Sequence, residues 1–358
     1  MSLSIAIVGL PNVGKSTLFN ALTDNNILAA NYPFATIEPN TGIVAIPDPR
    51  LEKLAELYQT KKVVPATVTF VDIAGLVAGA SDGEGLGNQF LAHIRNTNAI
   101  CQVVRAFKDD NVIHVDNNID PKHDIDIINT ELILADLQTV AKRLPKIAKE
   151  AKANPKLKPI ADTLQRVDDL LQQGTPISQV EDIDPEHIAD LHLLSAKPVI
   201  YLFNVDEAGL ADTAKQQSLA ALVAPAKALF VCAQLEAELN GLDANDRIEM
   251  LESYGQKESG LIKVIHAAYD TLGLQSYLTA GVQEVRAWTI PKQATAPQAA
   301  GVIHGDFERG FIAAEVVSYQ DLIANGSLTA AKATGKVRTE GKTYVMQPDD
   351  VVEFRFNV

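Results

Sequence analysis

The 358-residue sequence contains few of the residues that stabilise small secreted proteins or zinc proteins. It has two cysteines, Cys101 and Cys232, and both lie in apolar, strand-like runs. This placement indicates core thiols in a reducing cytoplasm rather than a disulfide framework. The seven histidines show no metal-ligand spacing, so a zinc site is not expected. No apolar run approaches ~18 residues, and no basic segment precedes the first apolar one. We therefore expect a cytoplasmic protein with no signal peptide and no membrane partner.

Positive charge is also scarce, since the formal net charge is −14. This balance argues against a protein that coats nucleic acid non-specifically. Residues 142–158 are a local exception, because Glu150 is their only acidic residue. The basic residues of this run are Lys142, Arg143, Lys146, Lys149, Lys152, Lys156 and Lys158. Two interpretations stay open, a solvated helix face and a contact with RNA phosphates.

The most specific motif is the stretch GLPNVGKS at residues 9–16, which fits G-x-x-x-x-G-K-[ST]. An apolar run at residues 5–8 predicts a buried strand before it, and residues 17–22 open a helix. The glycines let the backbone fold around a phosphate chain, whose charge the N–H groups and the helix dipole stabilise. Lys15 is predicted to reach the β- and γ-phosphates, and the Ser16 hydroxyl is predicted to bind Mg²⁺.

Two further stretches are typical of the second half of such a site. Residues 67–72 predict a buried strand that ends in Asp72, and Gly75 follows. The Asp72 carboxylate is predicted to hold Mg²⁺ through water. Thr36 lies in a predicted loop before the strand at residues 41–46, and its hydroxyl is placed to complete the Mg²⁺ shell. An ordinary surface threonine is the alternative.

The residues around the reacting phosphate predict slow chemistry. Leu76 follows Gly75 and has no hydrogen-bonding group that would orient an attacking water. Residues 99–107 predict a strand, and ligands of open α/β sheets bind beyond the carboxyl ends of strands. Phe107 is therefore a candidate for stacking on a base. His114, in the loop that follows, is a candidate catalytic group, with a solvated loop histidine as the alternative.

The stretch Asn204-Val205-Asp206-Glu207 stands where a guanine site carries Asn-Lys-x-Asp. The lysine is absent, and the last acid is one methylene longer. Adenine N1 is an acceptor and would repel a carboxylate, whereas its N6 group can donate to the Val205 carbonyl. Asn204 can still serve N7, which both purines share. The pattern predicts loss of guanine preference, and a turn-capping role is the alternative for Asn204.

The periodicity changes after Asp120-Pro121, which predicts a helix start. A three/four spacing then predicts two antiparallel helices, a coiled-coil arm inserted between strands. Its apolar positions are Ile127, Leu134, Leu137, Ala141, Leu144 and Ala148, then Ile160, Leu164, Val167 and Leu171. Pro145 predicts a kink or an early break. Farther on, residues 284–290 and 351–356 predict strands, and residues 301–306 predict a loop.

These motifs together resemble the YchF / Obg-like ATPase family, a branch of the Obg-related translation-factor GTPases. The resemblance runs along the whole chain. The stretches that carry it are GLPNVGKST at 9–17, NYPFATIEPN at 31–40, DIAGL at 72–76, GEGLGNQFL at 83–91, NVDE at 204–207 and GVIHGDFERGFI at 301–312.

The resemblance implies an α/β P-loop G domain at residues 1–117 and 196–274. A coiled-coil arm at 118–195 is inserted in it, and a TGS domain of the β-grasp type follows at 275–358. By position, phosphate binding falls on Asn12, Val13, Gly14, Lys15, Ser16 and Thr17, and Mg²⁺ on Ser16 and Thr36. Val205 would contact adenine, and the family permits a catalytic role for His114.

The implied activity is slow, Mg²⁺-dependent hydrolysis of ATP, with GTP as a possible second substrate. The implied partner is the ribosome, expected at its large subunit, with rRNA contacted by the arm or the TGS domain. We expect a monomer. One alternative is a GTPase ribosome-assembly factor of the Obg type, with Glu207 in the role of the missing aspartate. Another is a non-enzymatic, RNA-binding scaffold in which bound nucleotide only orders the cleft.

Overall fold

The computed structural model describes residues 3–24, 40–73, 86–108 and 119–357. The chain forms two compact units, the first comprising Met1–Ile43 and Thr69–Leu272, the second Val44–Val68 and Gly273–Val358. The predictions made for Thr36, Gly75, Leu76 and His114 lie outside the described residues. No helix within the described ranges has the length and apolar character needed to cross a membrane.

Each unit contains one six-stranded sheet. The strands are β1 (Ser4–Val8), β2 (Thr41–Ala45), β3 (Val63–Val64), β4 (Thr67–Asp72), β5 (Ala99–Arg105), β6 (Val199–Asn204), β7 (Lys227–Val231), β8 (Leu274–Ala280), β9 (Val285–Pro291), β10 (Phe311–Ser318), β11 (Arg338–Glu340) and β12 (Asp350–Phe356). The helices are α1 (Lys15–Asp24), α2 (Pro49–Tyr58), α3 (Leu86–Arg95), α4 (Pro121–Ala153), α5 (Lys158–Gln172), α6 (Pro185–Ile188), α7 (Glu207–Ala211), α8 (Thr213–Ala221), α9 (Ala233–Leu239), α10 (Ala244–Ser253), α11 (Gly260–Thr271), α12 (Ala296–Ile303), α13 (Gly305–Arg309), α14 (Tyr319–Asn325) and α15 (Leu328–Ala333).

The sheet of the first unit has the order β2-β4-β1-β5-β6-β7. Its strands β4, β1, β5, β6 and β7 are paired in parallel. All seven residues of β5 are buried, as are four of the five in β1. Such continuous burial is typical of a parallel sheet that helices cover on both faces. The carboxyl ends of these strands therefore meet at one edge, which confirms the predicted α/β P-loop architecture.

The sheet of the second unit is mixed, with the order β11-β10-β12-β8-β9-β3. Antiparallel pairing joins β8 to β9 and β10 to both β11 and β12, whereas β12 is parallel to β8. The helix α12 supplies small residues to the core beneath this sheet, where Ala296, Ala299 and Ala300 pack with Tyr277. The Tyr277 hydroxyl donates to the Ala299 carbonyl at 2.9 Å, so this buried polar group is satisfied.

Residues 44–68 are an unexpected part of the second unit, since the sequence assigned them to the G domain. Strand β3 pairs in parallel with β9, and the Val285 N–H donates to the Lys62 carbonyl at 2.9 Å. The Arg50 guanidinium, near the start of α2, bonds Asp349 at 2.9 Å and the Pro348 carbonyl at 2.8 Å. A segment from the first fifth of the chain thus supplies an edge strand and a helix to the C-terminal sheet.

The helical arm is present, with a hydrophobic core of its own between α4 and α5. Leu164, Val167 and Leu171 of α5 are buried as predicted. The prediction for α4 was correct at Leu137 and Leu144, which pack against this core. It was wrong at Leu134, Ala141 and Ala148, because the buried residues lie one position earlier. The residues in the core are Ile133, Val140 and Ile147. Both registers place an apolar residue every seventh position, so the α4 sequence alone did not distinguish them.

Pro145 does not break α4, which continues through it to Ala153. The proline is exposed, and its ring costs the helix one backbone hydrogen bond. Ile147, two residues later, is 1% exposed and packs into the core of the arm. Tertiary packing of this kind outweighs the lost bond and keeps the helix intact.

The loop predicted at residues 301–306 was also wrong, because two helices meet there. Gly301 lies within α12, and a side chain at this position would meet Glu308 of α13 at 2.4 Å. His304 stands between the helices and accepts the Asp306 N–H at 3.1 Å. Asp306 also pairs with Arg309. These side-chain contacts hold the turn between the two helices.

Asp136 joins the arm to the chain that returns to the sheet of the first unit. It is fully buried in α4, and its carboxylate accepts the N–H groups of Leu194 at 2.8 Å and Ser195 at 2.7 Å. The Ser195 hydroxyl donates to it at 2.6 Å. Burial raises the pKa of Asp136, and these three hydrogen bonds oppose the rise.

We expect Asp136→Ala to lower the free energy of unfolding of the first unit by about 3 kcal/mol, because two buried N–H groups lose their acceptor. Denaturant unfolding monitored by circular dichroism measures the change. Asp162→Ala, at an exposed position of α5, is the matched control and should have an effect within ~0.5 kcal/mol. Equal effects of the two variants would contradict the proposed role of Asp136.

Candidate nucleotide-binding site

A cavity of about 1180 Å³ lies at the carboxyl edge of the parallel sheet. It is lined by residues 10–12, 14–17, 107–108, 204–207, 232–234 and 237–238. The predicted residues that line it are Asn12, Gly14, Lys15, Ser16, Thr17, Phe107, Asn204 and Val205. Val13 is buried behind the wall, with its carbonyl bonded to Asn204. The structure therefore brings the predicted phosphate and base residues to one cavity within the first unit.

The loop between β1 and α1 has the geometry of an anion cradle. Asn12 and Gly14 have positive φ angles of 61° and 91°, and α1 begins at Lys15. A left-handed residue on either side of Val13 turns the backbone sharply, and the helix then presents its positive end to the cavity. Gly14 is required for a second reason, since a Cβ atom there would lie 2.2 Å from the Asn204 amide nitrogen.

Lys15 and Asp72 form an ion pair at the floor of this site. Strands β1 and β4 are neighbours in the sheet, which places Asp72 opposite Ile7 and beneath the loop that follows β1. The Lys15 side chain is 9% exposed and that of Asp72 is 16% exposed. A lysine ammonium has three donors, so the bond to Asp72 leaves two that can meet phosphate oxygens.

The donor chemistry of this end of the cavity fits Mg²⁺. Ser16 is exposed to the cavity, and the Asp72 carboxylate stands beside Lys15. Mg²⁺ prefers oxygen ligands, and it is usually held by one or two protein groups together with phosphates and water. The described part of the chain has no cluster of three or more His, Cys, Asp or Glu side chains that would form a protein cage. A hydroxyl and a carboxylate are the set that a phosphate-bound Mg²⁺ needs.

Asn204, at the end of β6, connects the two ends of the cavity. Its amide nitrogen donates to the Val13 carbonyl at 2.9 Å, and its amide oxygen accepts the Ala233 N–H at 3.0 Å. The side chain is buried, so these bonds replace water rather than compete with it. The amide nitrogen has a second hydrogen, which leaves the predicted contact with base N7 compatible with both bonds.

Val205, Asp206 and Glu207, which follow Asn204, have separate roles. Val205 is 1% exposed, its N–H donates to the Val231 carbonyl at 2.9 Å, and its side chain packs into the core. Asp206 caps α7 by accepting the Gly209 N–H at 2.8 Å. Glu207 lies in the first turn of α7 and lines the cavity. Of the two acids, Glu207 is therefore the one that is not used as a helix cap.

Phe107 is held at the cavity wall by a buried cation. The Arg105 guanidinium carbon lies 4.6 Å from the centre of the Phe107 ring, and Arg105 Nε donates to the Phe107 carbonyl at 3.3 Å. Arg105 is 1% exposed, so this contact is made away from solvent. A ring fixed in this way has little rotamer freedom to lose when it stacks on a base.

Sequence reasoning missed the face of α9 that lines the cavity. Gln234, Ala237 and Glu238 have the i, i+3, i+4 spacing of one helix face. The rule that ligands bind at the carboxyl ends of neighbouring strands predicts this place as well, because β7 adjoins β6 and α9 follows it. Glu236, on the buried side of α9, accepts the Gly260 N–H at 2.6 Å and so anchors the helix to α11.

A parallel sheet with this loop after its first strand, and a cavity at its carboxyl edge, defines a P-loop nucleotide-binding protein. A family model described as "50S ribosome-binding GTPase" matches residues 4–137. A C-terminal YchF GTPase model, described as a protein of unknown function, matches residues 274–357.

Full-length relatives identify the family. The chain is 50% identical to "Ribosome-binding ATPase YchF" of Bacillus subtilis and 49% identical to the protein of that name from Escherichia coli O157:H7, each covering 100% of both chains. The solved structure of the Schizosaccharomyces pombe YchF GTPase is 41% identical, with a TM-score of 0.88 over 99% of this chain and 98% of that one. The protein belongs to the YchF family.

We expect Gly14→Ala to weaken ATP binding at least ~10-fold and to destabilise the first unit by about 3 kcal/mol. The change adds left-handed strain of ~1–2 kcal/mol to a clash with the buried Asn204 amide. Gly174→Ala is the matched control, because its φ of 76° is similar and a Cβ there meets nothing within 4 Å. Thermal unfolding and equilibrium titration measure both effects. If Gly174→Ala weakened ATP binding as much as Gly14→Ala does, the clash with Asn204 would not be the cause of the effect.

Proposed function

We propose that the protein is a Mg²⁺-dependent ATPase that acts as a slow, ribosome-associated switch. The observation that carries the proposal is one cavity that both the P-loop and the predicted base-binding residues line. Its P-loop end has the Lys15–Asp72 ion pair, and its base end has no lysine of the kind found in a guanine site. The names of the relatives from Bacillus subtilis and Escherichia coli support the same function.

At the phosphate end, residues 12–17 bind the triphosphate through backbone N–H groups. Lys15 contacts the β- and γ-phosphates, and Ser16, Asp72 and Thr36 hold Mg²⁺, which supplies Lewis-acid stabilisation of phosphate charge. Lys15 is fixed by its bond to Asp72 before substrate arrives, so little reorganisation accompanies the reaction. His114 is the candidate for a further catalytic contact.

At the base end, Phe107 stacks on adenine and the Val205 carbonyl accepts its N6 amine. The Val205 N–H is bonded to the Val231 carbonyl, which fixes the peptide group just before the one that carries the Val205 carbonyl. Asn204 supports the P-loop and contacts N7. Because Leu76 cannot orient a water molecule, turnover by the isolated protein is expected far below the ~1–100 s⁻¹ of kinases.

GTP is the second candidate substrate, and one contact favours it. Glu207 lines the cavity, while the neighbouring Asp206 is occupied as the cap of α7. A Glu207 carboxylate that reached guanine N1–H and N2–H₂ would replace the aspartate of a guanine site. The longer side chain has more rotamer freedom to lose than aspartate, which disfavours this arrangement.

Single-turnover hydrolysis of labelled ATP and GTP, with and without ribosomes, tests the function. We expect slow ATP hydrolysis by the protein alone, faster hydrolysis with ribosomes, and no hydrolysis by Lys15→Ala under either condition. A Lys257→Ala variant, changed at an exposed site outside the cavity, is the control. Fast hydrolysis by the isolated protein would contradict the role given to Leu76, and no hydrolysis with ribosomes would favour the scaffold alternative.

The basic run of the arm is the proposed contact with rRNA, for which we expect the large subunit. Lys142, Lys146 and Lys149 are exposed on one face of α4, with the i, i+4, i+7 spacing of a stripe. Arg143 differs from them, since it lies 3.6 Å from Glu150 and 3.7 Å from Asp190. The three lysines are therefore better placed than Arg143 to neutralise phosphates.

We expect reversal of these three lysines to Glu to weaken binding to ribosomes and to isolated large subunits by at least ~10-fold. The remaining binding should depend less steeply on salt, because fewer counterions are released. The matched control reverses Lys122, Lys257 and Lys263, which are exposed lysines elsewhere in the first unit. Co-sedimentation across a salt series measures both variants. Equal losses of binding in the two variants would mean that only net charge matters. No loss of binding in the arm variant would mean that the basic run is a solvated helix face.

A further inference from the structure

We propose that Asn204 selects against purines with a carbonyl group at position 6, because its amide oxygen holds the Ala233 N–H away from the base. This inference rests on the proposed preference for ATP and explains part of it. It gives Asn204 a role in specificity that is separate from its support of the P-loop.

The Ala233 N–H is the first backbone donor of α9, and Ala233 lines the cavity together with Asn204 and Val205. It donates to the Asn204 amide oxygen at 3.0 Å. Both residues are buried, at 4% and 6% exposure, so water does not readily replace either partner. The donor therefore satisfies a protein acceptor and is not directed at a ligand.

One further backbone donor of the first turn of α9 is occupied as well. The Glu236 N–H donates to the Cys232 carbonyl at 3.0 Å. Burial raises the pKa of the Cys232 thiol just before α9, and the nearby backbone N–H groups of Leu235 and Gln234 oppose that rise.

Side chains at this end of the cavity mainly offer acceptors. Glu207 and Glu238 bring carboxylates to the lining, and Gln234 donates its amide nitrogen to Glu238 at 3.2 Å. One hydrogen of the Asn204 amide nitrogen is bonded to the Val13 carbonyl, and the other is assigned to base N7, which both purines share. Lys108, next to Phe107, also lines the cavity and is exposed.

This inventory distinguishes the purines by their group at position 6. Adenine has an amine there, which donates to the available carbonyls and carboxylates. Hypoxanthine and guanine have a carbonyl oxygen, which needs a donor and meets acceptors instead. A polar group that loses water without gaining a partner is penalised, so the site disfavours the 6-oxo purines even where the shape of the base fits.

Competition titration with ATP and ITP tests the inference, because the base of ITP has the 6-carbonyl and N1–H of guanine without its 2-amine. We expect Asn204→Ala to weaken ATP binding, since the P-loop loses the bond to Val13. ITP should lose about fivefold less than ATP, because the freed Ala233 N–H can donate to the carbonyl. The ratio of the two dissociation constants is thus the decisive readout, which a purely structural role would leave unchanged.

Two further variants provide controls. Asn204→Asp keeps an acceptor for Ala233 but loses the donor to Val13, so it should weaken both nucleotides equally. Ala233→Pro removes the N–H at the first position of α9, where proline is tolerated and the preceding Cys232 is already extended, with ψ of 101°. In the Asn204→Ala background, Ala233→Pro should restore the wild-type ratio.

Three results would overturn the inference. They are an unchanged ratio in Asn204→Ala, a change of the ratio in Asn204→Asp as large as that in Asn204→Ala, or a loss of ITP binding in Ala233→Pro alone. The last result would show that the N–H already serves the 6-carbonyl, and it remains decisive if Asn204→Ala does not fold. Tighter binding of ITP and GTP than of ATP by the wild-type protein would instead refute the proposed ATP preference. The failures of the two proposals are thereby distinguishable.

Discussion

The structure of the nucleotide site depends on the fit of one buried amide against one glycine. Asn204 bonds the Val13 carbonyl and the Ala233 N–H, and the space that it occupies is available because residue 14 has no side chain. The first bond spans 191 positions in sequence and joins the loop after β1 to the end of β6. The phosphate cradle, the base end and the start of α9 are therefore held in one geometry, and each depends on the other two.

The charges of the site are arranged by the sheet. Parallel pairing of β1 with β4 brings Asp72 beneath the P-loop, where it pairs with Lys15. Pairing of β6 with β7 brings the acids at residues 206 and 207 beside α9. A cation and a carboxylate thus stand at the phosphate end, whereas acceptors predominate at the base end. This separation is the physical basis for the proposed function, a slow hydrolase of ATP that works with the ribosome.

Several features were readable from short stretches because short-range chemistry decides them. Buried parallel strands appear as apolar runs, so β1, β4 and β5 were predicted correctly. A P-loop needs its glycines and its lysine at fixed spacing, so the loop after β1 was recognised from the sequence. The errors arose where two local patterns compete. The arm residues of α4 have apolar residues in two registers one position apart, and only contact with α5 selects Ile133, Val140 and Ile147. At Pro145, tertiary contacts likewise override the local pattern, because packing of the residues after it keeps the helix continuous.

By itself, the sequence determined the class of the protein, the place of its P-loop and the absence of a guanine-site lysine at Val205. Each of these follows from residue type and spacing along a few neighbouring positions. Only the tertiary structure decided that residues 44–68 complete the C-terminal sheet, that α9 forms a wall of the cavity and that Asn204 uses its oxygen on Ala233. These features are contacts between segments distant in sequence. They depend on which buried polar groups and strand edges find partners, and that is settled only when the whole chain packs.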